Sequence, residues 1–231
     1  MDTSRHRHAV QTSTPHTLSP APTNPRPILD AQGNPRAEWT TVNILTDPLP
    51  KATTKTLIAW SGWLGESSPS GGTERRWERD HRTWSPSAYD QLAARLRSIR
   101  EHAEHTGTKL LLRPHARHIL NDPQRCARYL TDFAGPTFGL ALDPVSMLEP
   151  SMLPSAEEHL VRIMERLGSH THWLVLPEGG IRVVGQGEDA RLAFLPGTTP
   201  PGEADLSHAD IHRILTPSMS QANIWLDPGT P

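Results

Sequence analysis

Two short apolar runs, "KLLL" (109–112) and "FGLAL" (138–142), each stop at a polar cluster: Arg113-Pro114-His115 after the first and Asp143-Pro144 after the second. Further along, "HWLVLP" is followed by Glu178 and "NIWL" by Asp227. These are residue types that do chemistry. A carboxylate at the end of a strand can act as general acid or base, the role open to Glu178. A guanidinium beside an imidazole, Arg113 with His115, can bind a phosphate or carboxylate. A guanidinium facing Asp143 or Asp227 forms a charge-assisted ion pair instead. Whether these groups meet depends on the elements that carry them.

Five continuously apolar runs read as strands: "TLIAW", "KLLL", "FGLAL", "HWLVL" and "NIWL". Continuous apolarity is the mark of parallel strands buried on both faces. Helices separate them. Ser85-Pro86 supplies an N-cap and a first-turn proline, Leu92, Leu96, Ile99 and Ala103 share one face, and Gly107 supplies the stop. Asp122-Pro123 opens a second helix ending at Gly135, and Ser155-x-x-Glu158 reads as a capping box opening a third that stops at Gly168. "SHADIHRILT" is a short fourth helix, and "GGIRVVGQGEDARLAFLPG" reads as a hairpin with "GQGED" as its turn. "EWTTVNIL" (38–45) offers one more strand. Such alternation implies an α/β sheet with right-handed crossovers, whose loops converge at the strand C-termini. Ser61, Arg113, His115, Asp143, Glu178 and Asp227 are therefore expected on one face.

The bulk properties frame this domain. Of 231 residues 35% are apolar and 23 are Pro, and both departures from the globular norm are concentrated near the N-terminus. Residues 1–36, rich in Pro, Thr and Ser, are expected to be a disordered tail, and residues 37–231 the folded part. A net charge of −2 gives no nucleic-acid footprint, and no apolar run approaches ~18 residues, so neither nucleic acid nor membrane is expected as a partner. The N-terminus lacks the apolar core of a secretory signal, so a cytoplasmic protein is expected. Cys126 alone excludes a disulfide framework and reads as a buried, inert thiol. Trp60, Trp63, Trp77 and Trp84 crowd one region and read as core or rim packing rather than a sugar-stacking wall.

The order of these segments resembles the C-terminal part of the xylose isomerase-like TIM barrels, which include sugar and sugar-phosphate isomerases and epimerases and apurinic endonucleases. "LRSIREHAEHTGTKLLLRPH", "NDPQRCARYLTDFAGPTFGLALDP", "LVRIMERLGSHTHWLVLPEG", "PGEADLSHADIHRIL" and "NIWLDP" carry the likeness, over roughly residues 56–228. It implies an incomplete TIM-barrel-like α/β fold with about five clear βα strands, a barrel lacking its first strands. A homo-oligomer is one way to cover the open edge. It also implies a divalent metal (Mn, Zn or Mg) at the mouth, held by Glu, Asp, His and Glu from successive strand ends. In this sequence those positions hold Arg113, Asp143, Val175 and Asp227, with Glu178 acidic after Val175 and Ser146 in place of a substrate-binding His. Asp143 and Asp227 are the remaining metal ligands.

A guanidinium has no free lone pair and repels a cation, so Arg113 degrades that site unless His115 or His172 serves in a changed register. Three functions follow from the resemblance. One is a sugar or sugar-phosphate isomerase or epimerase, with Glu178 as base and with Arg113 and His115 touching substrate. Another is a non-catalytic, metal-free barrel binding a small anionic ligand. The third, an apurinic endonuclease, would need more metal ligands and a positively charged DNA face.

Overall fold

A computed structural model describes residues 26–29, 35–51, 53–64, 78–177, 179–200, 202–218 and 223–227. Its centre is a repeating strand–helix unit. Strand β3 (Thr56–Trp60) leads through α1 (Pro86–Thr106) to β4 (Lys109–Arg113), and α2 (Pro123–Phe133) leads to β5 (Phe138–Leu142). Then α3 (Ala156–Leu167) leads to β6 (Trp173–Pro177). A hairpin, β7 (Ile181–Val184) and β8 (Arg191–Phe194), precedes α4 (His208–Leu215) and β9 (Asn223–Asp227). Ahead of β3, β1 (Arg26–Leu29) and β2 (Pro35–Asn43) complete a seven-stranded sheet in the order β1-β2-β3-β4-β5-β6-β9. All neighbours are parallel except β1 and β2. Among the described residues the sheet does not close, and it forms the incomplete, TIM-barrel-like α/β fold that the resemblance implies.

Successive strand residues face opposite sides, and the two sides carry two cores. Leu57, Ala59, Leu110, Leu112, Phe138, Leu140, Leu142, Leu174 and Leu176 pack outward under the helices. The alternate set, Ala37, Trp39, Ile58, Trp60, Leu111, Ala141 and Val175, packs together on the inner face. Burial on both sides explains why each run is apolar throughout. Arg113 and Asp143 extend this inner set at the C-terminal ends of β4 and β5.

The helix boundaries follow local chemistry. Ser85 caps α1 by accepting from the Ala88 amide, Asp122 caps α2 through Arg125 and Ser207 caps α4 through Asp210. Gly107 ends α1 at φ 64°, a left-handed conformation in which Gly lacks the Cβ penalty. Ser155 differs from expectation: it makes no capping hydrogen bond. A 3₁₀ turn (Pro150–Ser155) runs directly into α3, its Leu153 carbonyl takes the Ala156 amide, and the capping box expected at Ser155 does not form. Likewise α2 ends at Phe133 with Ala134 as its C-cap, short of Gly135, while Gly168 opens a 3₁₀ turn to His170.

The start of the sheet also lies earlier than expected. Strand β1 and the first residues of β2 fall within the segment read as a tail, while residues 1–25 are outside the described part. Among the described residues no helix is long and apolar enough to cross a membrane.

Candidate functional site

Arg113 is the last residue of β4 and pairs in register with Trp60, the last residue of β3. Its guanidinium lies 4.3 Å from the Trp60 ring centroid and 4.5 Å from that of Trp39 on β2. The two indoles meet edge to face, with centroids 5.5 Å apart. A cation over an indole face is stabilised by the ring quadrupole, by up to about 2 kcal/mol once desolvated. The same guanidinium donates from Nε (2.9 Å) and Nη2 (2.5 Å) to Oδ2 of Asp143. Arg113 and Asp143 are each 1% exposed at the side chain. Asp143 is held from the other side by Ser146, whose amide donates to Oδ1 at 2.9 Å and whose hydroxyl donates to Oδ2. The first two polar strand ends of the sequence are thus one buried unit.

His115 follows on the next turn of chain. Its Nδ1 accepts from the Arg117 amide at 2.9 Å, and its ring stands edge-on to Trp60 and tilted against His118, with centroids 5.5 and 4.8 Å away. His118, fully buried, stacks on Trp63 at 5.0 Å. Half-buried His115 also lines a narrow groove between the loops after β4 and β5 and strand β8. His115 is thus the groove-facing edge of the cluster, whereas Arg113 is enclosed.

Glu178 lies outside the described residues. Asp227 ends β9 opposite Pro177 of β6, which puts its backbone at the same end of the sheet. Val175 packs in the inner core. Among the described residues no group of three His, Cys, Asp or Glu converges to hold a divalent metal. The carboxylate best placed to bind one, Asp143, is already neutralised by Arg113. His172 sits elsewhere, at the N-terminal end of the strands, with its Nε2 2.7 Å from Lys109 Nζ. Burial, and then the Lys109 charge, hold the His172 imidazole below its ordinary pKa range.

Sequence reasoning singled out Arg113, Asp143 and Ser146 but not Trp39, which lay in a stretch read only as one more strand. Trp60 was assigned to packing, and it packs, around a cation. Arg117, only 3% exposed, and Glu149 went unnoticed because an Arg and a Glu 32 residues apart in loops carry no periodic or motif signal.

No protein-family model matches the sequence, and no curated protein is similar to it. Among solved structures the chain is similar to a xylose isomerase-like TIM barrel protein from Mycobacterium smegmatis in complex with magnesium (14% identity, TM-score 0.47, covering 76% of this chain and 55% of that one). It is also similar to a D-tagatose 3-epimerase-like protein (13% identity, TM-score 0.44, 76% and 57%). A third similar structure is 3-keto-D-glucoside 4-epimerase from E. coli (14% identity, TM-score 0.42, 77% and 72%). The chain spans little more than half the length of the first two.

Proposed function

We propose that this chain is a metal-independent barrel of the sugar isomerase and epimerase kind, and that its mouth binds a small anionic, sugar-like ligand. The observation that carries this reading is the Arg113–Asp143 pair. A guanidinium fixed between Trp39 and Trp60 fills the place where a cation would sit beside Asp143. Two further features support the scaffold: the order of the sequence motifs, and a curled parallel sheet that brings polar strand ends together. Metal-assisted proton transfer is not part of the reading, because the Arg113 guanidinium already holds the Asp143 carboxylate that would face a metal.

Calorimetric titration tests it. With EDTA present, glucose 6-phosphate is expected to bind saturably, neutral glucose more weakly, and Mg²⁺ in place of EDTA should change nothing. Saturable binding only with Mg²⁺, or none of the phosphate ester at all, would contradict the reading.

A further inference from the structure

Resting on the reading of an anionic ligand, we infer that its phosphate is taken by the arginines around Glu149, beside the barrel mouth, where Glu149 now occupies the site as a built-in anion. Arg79 Nη2 and Arg117 Nη2 each donate to Glu149 Oε2 at 3.0 Å. Arg117 Nε lies 3.0 Å from Oε1, but Oε1 is buried and makes no hydrogen bond. One carboxylate oxygen is thus shared by two guanidiniums while the other is poorly used. Arg191, exposed on β8, lines the same groove as Arg117, Glu149, Ser146 and His115, and among the described residues it has no carboxylate partner.

Two guanidiniums therefore hold one carboxylate, and a third lines the groove beside them. Charge of that sign, in a groove at the strand C-termini, attracts a dianion, and guanidinium forks match the oxygens of a phosphate in pairs. The crowding is felt by Arg117. Burial lowers its pKa most, Glu149 opposes this, and both Arg79 and Arg191 push it further down. A phosphate has the additional acceptor oxygens that the Glu149 carboxylate lacks. It would displace the Glu149 side chain, whose own position rests on these arginines, and bring Arg191 in from solvent. Arg117 is further fixed by donating to the Ala190 carbonyl at 2.7 Å, which ties the β8 end of the hairpin to the groove.

The test is thermal unfolding of the full chain in inorganic phosphate against chloride at matched ionic strength, for the natural sequence, Glu149→Gln and Arg191→Ala. The natural chain should be stabilised by phosphate. Glu149→Gln removes the competing charge and should tighten phosphate about tenfold, and Arg191→Ala should weaken it by a similar factor. Should Glu149→Gln fail to fold, the exposed Arg191→Ala still decides. An equal phosphate response in all three chains would overturn the site while leaving an anionic ligand elsewhere at the mouth intact. No phosphate response in any chain, with glucose 6-phosphate still bound, would likewise overturn it, and loss of both would overturn the underlying reading as well.

Discussion

The Arg113 guanidinium and the Asp143 carboxylate meet through two hydrogen bonds to a single oxygen, Oδ2, with both side chains withdrawn from water. Burying two charges is expensive, and their attraction offsets the cost only when the remaining donors and acceptors are satisfied. Ser146 takes both oxygens of Asp143, and two indoles face the guanidinium. Breaking the pair from one side should cost about 3–5 kcal/mol, because the other charge is left buried and alone. Urea unfolding of Arg113→Met and of Asp143→Asn checks this. The double variant should lose much less than the two losses added. A loss under about 1 kcal/mol for each single variant would mean that the pair is solvated.

Gly139 makes room for His172. A Cβ built at residue 139 would lie 2.7 Å from His172 Nδ1, 2.8 Å from Cε1 and 2.9 Å from a Leu111 methyl. Gly139→Ala must therefore push the imidazole off Lys109, at a cost of about 1–3 kcal/mol typical of overpacking. In a His172→Ala background the same substitution should be much cheaper. Equal costs in the two backgrounds, measured by denaturant midpoints, would show that the ring is not what the glycine accommodates.

The same pair sets a pH dependence. The His172 pKa is lowered in the folded protein, by burial first and by Lys109 second. An imidazole with a depressed pKa binds protons more readily when unfolded, so its contribution is intact above the ordinary value near ~6.5 and is lost as pH falls below that. The natural chain should thus lose more stability between pH 7.5 and 5.5 than His172→Gln does. Equal slopes would contradict the assignment.

How much of this was legible beforehand follows from where the signals lie. The five central strands and four helices were readable because burial on both faces makes a strand apolar throughout, and because Ser85, Asp122 and Gly107 mark helix ends by fixed local rules. The neighbourhood of Arg113 and Asp143 followed from strand-end geometry. Ser155 misled, since a capping motif is defined by sequence alone while the 3₁₀ turn before it depends on tertiary context. Trp39 and the Arg79–Glu149–Arg117 contacts were invisible for a different reason. They join loops and strands far apart in the chain, and nothing periodic announces such a meeting.

Cys126 is fully buried in α2, and desolvation raises its thiol pKa strongly. It should react with a thiol reagent such as dithionitrobenzoate only as fast as the native chain opens, and within seconds in urea. Rapid stoichiometric reaction of the folded protein would place it at the surface instead.

The central claim, that Arg113 has replaced a metal at the mouth, is tested most directly by thermal unfolding with and without excess Mg²⁺, Mn²⁺ or Zn²⁺. A cation that binds only the folded chain adds ~2.7 kcal/mol at a hundredfold excess over its dissociation constant, a shift of several degrees for a chain of this size. The account predicts a cooperative melt that none of the three ions raises. A clear upward shift with any one of them, abolished by Asp143→Asn, would contradict it.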